Sequence, residues 1–387
     1  MFWRTALPRA GRPALKEPRR ISGGVRLQTV VAGRIATARV RPAWENFSAG
    51  GNGLPEHGRE KDLVAGVDLG GTKIYTALAD RRGKLLAELK VPTGGPDPER
   101  VAARIAETVG EVLRRAGADG ISALGIGAPG PLDAVTGVVQ QAPNLGWRDV
   151  PLREKLERLL RVPVAVDNDA SLAALGEHCY GAGRGVRHMV YVTVSTGVGG
   201  GLILDGKLYH GAGCAAGEIG HITVAPDGPP CGCGNRGCLE ALASGTAMAR
   251  AARELVAAGG GRAILAAAGG RAEAITARAV AEAAAAGDAE AARILTAAGR
   301  ALGTGLAAVI NLLNPELLVL GGGAMRVGPV FWRAMEEELR RRALAHPLGQ
   351  VRLVPAALGE RSGVLGAVAL ALRRADGEAA PPAKSGS

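Results

Sequence analysis

Four side chains between His221 and Cys238 have the types and the spacing of a structural zinc site. Cys231, Cys233 and Cys238 form the pattern Cys-x-Cys-x4-Cys, and His221 stands ten residues before the first of them. Three thiolates and one imidazole complete a tetrahedral zinc shell that leaves no position for water. The alternative is a loop of reduced cysteines, because we expect no disulfide in a chain without a recognisable secretion signal. We therefore predict a zinc-binding loop over residues 221–238.

A glycine-dense segment over residues 195–201 directly follows an apolar run over residues 189–194. Glycine has no Cβ, so the backbone N–H groups of such a segment can approach a phosphate group closely. The alternative interpretation is a tight β-hairpin between two buried strands. The segment alone does not decide between a phosphate-binding loop and a hairpin.

Residues 68–73 read Asp-Leu-Gly-Gly-Thr-Lys and lie between two apolar runs, 63–68 and 74–79, that resemble buried strands. This pattern is not a Walker loop, which needs a different glycine spacing and a following helix. It still offers backbone donors, a hydroxyl and a cation around one turn. Asp68 ends the first strand, where a hydrated magnesium ion could sit. The alternative is an ordinary polar hairpin.

Three polar residues, Asp167, Asn168 and Asp169, separate a strand predicted over 162–166 from a helix predicted over 170–180. Open α/β sheets bind their ligands at this carboxyl end of the strands. Asp167 or Asn168 could be the N-cap of the helix. Because a cap requires only one polar residue, at least one carboxylate remains for chemistry.

The rest of the chain supplies alternating strands and helices. Apolar residues recur at helical spacing over 98–116, a strand is predicted over 121–128, and Asp288 is expected to cap a long helix. With 387 residues, 47% of them apolar and only 3% aromatic, the composition is that of a globular α/β chain large enough for two domains. No apolar run reaches the length of a membrane span, so we expect no membrane contact.

The positive charge of the chain is concentrated at its start. The whole chain carries a net charge of +11, and residues 1–60 hold eleven Lys and Arg against four Glu. An Arg-rich, acid-poor segment could be a transit peptide or a nucleic-acid-binding tail. Because this one is rich in Gly and Pro and has no sustained periodicity, we instead expect a disordered extension and no specific nucleic-acid binding. We also expect residues 375–387 to be a disordered tail.

Seven short motifs occur along the chain in order: Asp-Leu-Gly-Gly-Thr-Lys at 68–73, Gly-Ala-Pro-Gly at 127–130, Pro-Asn-Leu-Gly-Trp at 143–147, Asn168-Asp169, the glycine segment at 195–201, Gly-Glu-Ile-Gly-His at 217–221, and the cysteine cluster. This order resembles the ROK family of sugar kinases and repressors, and the resemblance extends from about residue 63 to about residue 372. It implies an α/β, actin-like (ribonuclease H-like) two-lobed sugar kinase fold with a zinc-binding loop. Residues 61–180 and a closing helix over 360–374 would form the smaller lobe, and residues 181–359 the larger one.

The resemblance also implies roles for single residues. Asp169 matches the catalytic base of the family. The implied sugar ligands are Asn144, Asn168, Glu218, His221 and Glu240. The implied ATP- and phosphate-binding residues are Asp68, Gly70, Gly71, Thr72, Lys73, Thr196, Gly197, Gly199, Gly321 and Gly322. The family's zinc ligands match His221, Cys231, Cys233 and Cys238. One departure is Glu-Arg-Ser-Gly at 360–363, where relatives often carry Asn-Asp-Ala-Gly, and we assign no role there.

The activity implied by the resemblance is ATP-dependent phosphorylation of glucose at its 6-hydroxyl, with Mg²⁺ and a structural Zn²⁺. The alternatives are a kinase for fructose, mannose, allose or an N-acetylated hexosamine, and a sugar-responsive repressor. A repressor of this family would carry a winged helix-turn-helix before residue 68, where this chain is rich in Arg, Gly and Pro. The phosphoryl donor, ATP or polyphosphate, stays open. We expect a cytoplasmic homodimer or homotetramer.

Deleting residues 1–60 should leave kinase activity and melting temperature nearly unchanged, because a segment without periodicity contributes little to a folded core. The measurement is a coupled kinase assay and a thermal melt on the full chain and the truncated chain. A large loss of either quantity would contradict the expectation that this extension is dispensable.

Overall fold

The computed structural model describes residues 63–377. The predicted basic extension and most of the predicted tail lie outside the described residues. The described part contains two five-stranded sheets, and each belongs to one lobe. The strands of the first sheet are β1 (Val64–Leu69), β2 (Lys73–Ala79), β3 (Leu85–Pro92), β4 (Ala123–Ala128) and β8 (Val164–Asn168). Those of the second sheet are β9 (Met189–Val194), β10 (Val198–Leu204), β11 (Lys207–Leu208), β12 (Leu317–Gly321) and β13 (Arg352–Pro355).

The two sheets have the same topology. Their strand orders are β3-β2-β1-β4-β8 and β11-β10-β9-β12-β13. In each, an antiparallel meander of three strands is followed by two strands parallel to the first strand of the meander. This repeated arrangement is the actin-like two-lobed fold, and the predicted fold class is confirmed. Because parallel strands end at the same edge of a sheet, each lobe gathers its polar loops at one edge.

The helices cover these sheets. The first lobe has α1 (Pro98–Ala116), α2 (Leu152–Leu160) and α3 (Asp169–Tyr180). The second lobe has α4 (Leu239–Ala243), α5 (Gly245–Ala257), α6 (Arg262–Ala267), α7 (Ala277–Ala285), α8 (Ala289–Leu313), α9 (Pro329–Arg342) and α10 (Ala345–Gln350). The last helix, α11 (Ser362–Ala375), returns to the first lobe and packs on β1, β4 and α3.

The ends of the predicted helices follow from their capping residues. Asp97 caps α1 by accepting a hydrogen bond from the backbone N–H of Glu99, and Gly117 ends the helix in a left-handed conformation. Asp288 caps α8 by accepting from the N–H of Ala291, as predicted. In the described part of the chain, α8 is also the one helix long and apolar enough to cross a membrane, but 56% of its most apolar window is buried inside the structure. It is a core helix of the second lobe.

A third, smaller sheet was not predicted. Its strands are β5 (Leu132–Asp133), β6 (Val138–Ala142) and β7 (Trp147–Pro151), which pair in that order. The motif Pro-Asn-Leu-Gly-Trp at 143–147 lies where two of these strands are joined by a 3₁₀ turn at Pro143–Leu145. Such short strands carry too few alternating positions for a clear period-two pattern. The sheet nevertheless matters, because its turn holds Asn144 in place.

Glycines let α11 lie unusually close to the first lobe. A Cβ on Gly366 would stand well under 3.0 Å from the carbonyl oxygen of Leu172 in α3. A Cβ on Gly125 of β4 would collide in the same way with the carbonyl oxygen of Ala367. Backbone atoms cannot yield as the end of a side chain can. The closing helix α11 is therefore fixed between the first sheet and α3 by backbone-to-backbone packing.

Gly366→Ala should lower the free energy of unfolding by about 3 kcal/mol or more, because the added methyl group meets backbone that cannot move aside. Gly110→Ala is the matched control. Gly110 is an exposed glycine inside α1 whose added Cβ would meet nothing within 4 Å. Alanine should stabilise α1 by about 0.5–1 kcal/mol there. Urea midpoints that are equal for the two variants would contradict this account of the packing.

Candidate active site and metal centre

The glycines of the segment 195–201 allow two parts of the structure to pack closely against β10. Gly199–Gly201 lie in β10, which pairs antiparallel with β9, so the hairpin alternative of the sequence analysis describes the backbone correctly. A Cβ on Gly199 would come within 3.0 Å of Ala170, and one on Gly201 within 2.9 Å of the Ala170 carbonyl, both at the start of α3. A Cβ on Gly200 would meet Ile219 at 2.5 Å on the opposite face. Three successive glycines thus let α3 and the segment around Ile219 approach β10 from its two sides.

The tip of this hairpin is held by a carboxylate. The Oε2 atom of Glu240 accepts a hydrogen bond of 2.9 Å from the backbone N–H of Val198. A Cβ on Gly197 would stand well under 3.0 Å from the same oxygen. The N-terminus of α5 holds the other side, where the N–H of Gly245 donates to the carbonyl of Ser195 over 2.8 Å. Gly197 is therefore required at least for the close approach of Glu240, whatever else the turn binds.

Asp167, Asn168 and Asp169 divide their tasks at the carboxyl end of β8. Asn168 is the N-cap of α3: its Oδ1 accepts from the N–H groups of Ala170 and Ser171 over 3.0 and 3.1 Å. Asp167 is buried, and its Oδ2 lies 2.7 Å from Nε2 of a histidine described below. Asp169 is the first residue of α3 and is only half-buried. Of the three, Asp169 is the carboxylate that remains for chemistry.

The pKa of Asp169 is raised to about 7. Burial is the largest cause, because it disfavours the charged carboxylate. The negative charges of Asp68 and Glu218 raise the pKa further, while a hydrogen bond of 2.7 Å from the N–H of Ala170 opposes the shift. A carboxylate with a pKa near neutrality is suited to accept a proton from a hydroxyl and to release it again.

The turn over 70–73 is fixed by hydrogen bonds and by the small sheet. The N–H of Gly70 donates to the carbonyl of Lys73 over 2.9 Å, and Oγ1 of Thr93 donates to the carbonyl of Gly70 over 2.8 Å. A Cβ on Gly71 would stand 2.9 Å from the Cβ of Asn144. Thr72 and Lys73 are exposed on this turn. The structure therefore brings the predicted phosphate turn and the predicted sugar ligand Asn144 together.

Asp68 lies at the end of β1, beside this turn. Burial raises its pKa, and the positive charges of Lys73 and Lys90 act in the opposite direction. A Cβ on Gly363, at the start of α11, would come within 2.9 Å of the Asp68 carboxylate. Close to Gly363, Lys90 forms an ion pair of 2.9 Å with Glu360. Gly363 thus lies against Asp68, although the sequence 360–363 departs from the pattern of the resemblance.

Gly321 and Gly322 lie beside the hairpin tip in the second lobe. Gly321 ends β12 and pairs with Thr193 of β9, just before Thr196 in the chain. Gly322 has a φ of 92°, a backbone conformation that L side chains rarely adopt, and its Cβ would collide with the carbonyl of Val194. The carboxyl ends of β9 and β12 therefore present adjacent glycine turns, which suits an approaching anion.

His221, Cys231, Cys233 and Cys238 form a cluster whose ligand atoms all lie within 4.8 Å of one another. The Sγ atoms of Cys233 and Cys238 are 3.7 Å apart, and Nδ1 of His221 is 3.7 Å from Sγ of Cys231. A tetrahedral ion with Zn–S bonds of about 2.3 Å separates its ligands by about 3.8 Å. Burial, followed by the neighbouring sulfurs, raises the pKa of Cys238 to about 12, so this sulfur needs a nearby cation to become a thiolate at neutral pH. The donor set fits a structural zinc ion.

His221 belongs to the metal cluster and to the predicted sugar site. Its Nδ1 faces Cys231, whereas its Nε2 lies 3.8 Å from Oε2 of Glu218. Glu218 precedes the 3₁₀ turn Ile219–His221, and His221 ends it. The two residues are three apart, which places them on one side of the backbone. A metal ion on Nδ1 would leave the hydrogen on Nε2, where it can donate. Glu240 lies two residues after Cys238, so the metal loop has predicted sugar ligands on both of its flanks.

Two carboxylate contacts were not predicted. Nε2 of His210 bonds Asp167 at 2.7 Å, and Glu177, buried in α3, accepts from the N–H groups of Ala357 and Leu358 and from Oγ of Ser362. Glu177 was detectable in principle as an acid that follows the apolar stretch 172–176 inside α3. The partners lie 43 and about 180 residues away, so no local pattern reveals them.

The profile of the ROK family matches residues 64–374, which includes both lobes and the metal loop. The chain belongs to the ROK family. Among relatives, a glucokinase of Halalkalibacterium halodurans is 39% identical over 78% of this chain and 92% of its own length. A putative xylose repressor of Caldicellulosiruptor is 32% identical over 82% of this chain and 80% of its own length.

Two solved structures are similar over nearly their whole length. One is a ROK family glucokinase from Streptomyces griseus in complex with glucose and AMPPNP, with a TM-score of 0.70 and 36% identity over 80% of this chain and 99% of that one. The other is a ROK hexokinase from Thermus thermophilus, with a TM-score of 0.70 and 38% identity over 81% of this chain and 99% of that one. The similarity therefore covers the described fold and its site.

Cys238→Ser should abolish stoichiometric zinc binding and raise KM for the sugar about 100-fold, because the loop no longer holds His221 and Glu240 in place. KM for ATP should change far less. Cys179→Ser, outside the cluster, is the matched control for loss of a thiol. The measurements are metal content and both KM values on one preparation.

Cys233→Ser provides a second test if Cys238→Ser does not fold, because Cys233 is exposed whereas Cys238 is buried. A variant that keeps full zinc would overturn the ligand assignment. A variant that loses zinc yet keeps its sugar KM would overturn the coupling between metal and sugar.

Proposed function

We propose that this chain is an ATP-dependent glucokinase, which transfers the γ-phosphoryl group of ATP to the 6-hydroxyl of glucose. The observation that carries the proposal is the position of Asp169, a carboxylate with a pKa of about 7 at the start of α3. It lies close enough to Asp68 and Glu218 for both charges to act on it. These belong to the predicted phosphate site and the predicted sugar site, respectively. Three glucokinases that are 37–39% identical to this chain support the same activity.

Asp169 acts as the general base in this proposal. Phosphoryl transfer requires mainly positioning and charge stabilisation, with a carboxylate to accept the proton of the attacking hydroxyl. The 6-hydroxyl oxygen of the sugar attacks the γ-phosphorus of ATP while Asp169 accepts the hydroxyl proton. The bond between the γ-phosphorus and the bridging oxygen breaks, and ADP leaves with that oxygen. The backbone N–H of Ala170 fixes one carboxylate oxygen, Oδ1, over 2.7 Å.

The sugar is held by groups from both lobes. Asn144 and Asn168 come from the first lobe, and Glu218, His221 and Glu240 from the metal-loop region of the second. Amide, carboxylate and imidazole groups together can donate to and accept from several hydroxyls at once. One oxygen of Glu240 already holds the hairpin tip, so its sugar contact and the position of the tip are coupled.

The nucleotide is held by the glycine turns at the facing edges of the two sheets. Thr72 and Lys73 with Gly70 and Gly71 offer donors from the first lobe. Thr196, Gly197, Gly199, Gly321 and Gly322 offer backbone from the second. Asp68 would hold the hydrated Mg²⁺ that accompanies ATP, and that ion would neutralise phosphate charge during transfer. The other hexoses and polyphosphate are alternative substrates for the same groups, and a coupled assay over a panel of hexoses and both donors distinguishes them.

A repressor is the second candidate, because the family contains xylose repressors. The presence of Asp169 with its raised pKa favours the kinase, since a ligand sensor has no need of a base. We also propose that the chain is cytoplasmic and assembles as a homodimer or homotetramer. Leu312 and Leu344, which are 82% and 62% exposed near one end of α8, support an assembled state that covers them. Light scattering on the purified chain tests the assembly.

Asp169→Asn should lower kcat about 10²–10⁴-fold, because the amide keeps the shape but cannot accept a proton. In the unsubstituted protein, kcat/KM for glucose should fall tenfold per pH unit below pH about 7, because the raised pKa means that the base is protonated there. This acid limb should be absent from the residual activity of Asp169→Asn. Steady-state kinetics from pH 5.5 to about 8.5 provide the measurement.

Asp119→Asn, at an exposed aspartate after α1, is the matched control and should behave like the unsubstituted protein. The role of Asp169 is wrong if Asp169→Asn retains more than about a tenth of kcat. Asp167 cannot then take over without first releasing its histidine partner.

A further inference from the structure

A buried ion pair joins the two lobes next to the proposed active site. Oδ2 of Asp167 lies 2.7 Å from Nε2 of His210, and the two side chains are only 5% and 16% exposed. Asp167 belongs to β8 in the first lobe, whereas His210 follows β11 in the second. Nothing in the activity proposed above requires either residue to touch a substrate.

Each member of the pair is bound to a segment that carries proposed sugar ligands. The second oxygen of Asp167, Oδ1, accepts from the backbone N–H of Asn168 over 2.8 Å. The carbonyl of His210 accepts from the N–H of Ala216 over 3.0 Å, which closes a loop just before Glu218. Within that loop, Cys214 packs against the core of the first lobe. We call residues 210–216 the bridging loop.

The surroundings of His210 favour its protonated form, which pairs with Asp167. Burial disfavours the imidazolium form, but the hydrogen bond and the charge of Asp167 outweigh it and raise the pKa of His210. Arg373 of α11 acts against the imidazolium. An unpaired carboxylate as buried as that of Asp167 would be unfavourable, so each side chain stabilises the other in its place. The pair therefore resists separation of the bridging loop from β8.

We propose that the pair of Asp167 and His210 positions the sugar site, by holding the bridging loop and the following Glu218–His221 segment against Asn168. Neither residue is catalytic: both act through the groups that bind the sugar. The inference rests on the proposed glucokinase function and adds two specificity-supporting residues to it. Because Asp169 belongs to the same first-lobe segment as Asp167, the pair fixes the sugar ligands of the second lobe relative to the base.

Three variants at two positions test the role. His210→Ala removes the contact, His210→Gln keeps an N–H donor near the place of Nε2 without a charge, and His346→Ala removes an exposed histidine of α10. Loss of a charge-assisted hydrogen bond changes an equilibrium about 10- to 100-fold. His210→Ala should therefore raise KM for glucose about 10-fold or more, with kcat lowered less than about 3-fold and KM for ATP unchanged. His210→Gln should recover most of the glucose KM, and His346→Ala should match the unsubstituted protein.

The proposal is overturned if folded His210→Ala keeps its glucose KM, or if His210→Gln is as impaired as His210→Ala. If His210→Ala does not fold, Asp167→Ala, which removes the acceptor for Nε2, must raise glucose KM and leave KM for ATP unchanged. A double-mutant cycle of His210→Ala and Asp167→Ala must also show non-additive effects on glucose KM. Failure of the glucokinase function itself is recognised separately, because the unsubstituted protein would then phosphorylate no glucose.

Discussion

The close packing of β10 between α3 and the segment around Ile219 is the constraint on which the site depends. Side chains at 199–201 would force apart the helix that begins with Asp169 and the turn that carries Glu218 and His221. With glycines there, the start of α3 at Asp169 and the turn that carries Glu218 and His221 pack against opposite faces of one strand. The glycine segment therefore has a packing role in addition to any contact with phosphate, and both roles require the same residue type.

Negative charge is concentrated in this confined space. Asp68, Asp169 and Glu218 come from three different elements, and the charges of Asp68 and Glu218 disfavour the ionised form of Asp169. Lys73 and Lys90 offset part of this repulsion from the side of the phosphate turn. The arrangement prepares the site for cationic partners of the carboxylates and keeps the pKa of Asp169 near the pH at which a base is most useful. The electrostatic repulsion that acts on Asp169 therefore contributes to its raised pKa.

The sequence predicted the local features well and the contacts between distant segments poorly. The cluster of His221 with three cysteines, the bounds of α1 and the cap of α8 all follow from spacing over a few residues. The small sheet that holds Asn144 was missed because its strands are short. The contacts of His210 and Glu177 were missed because they join segments far apart in the chain, and their partners become neighbours only once both lobes have formed. Resemblance to a family predicted candidate ligands but explained none of these supporting contacts.

The return of α11 to the first lobe has a consequence for synthesis of the protein. Ser362–Ala375 is translated after the entire second lobe, yet it covers β1 and β4 and contacts α3. The second lobe can bury its own core on the ribosome, whereas the first lobe exposes an apolar sheet face until the final helix emerges. Nascent chains that terminate early would therefore present this uncovered face to chaperones and proteases.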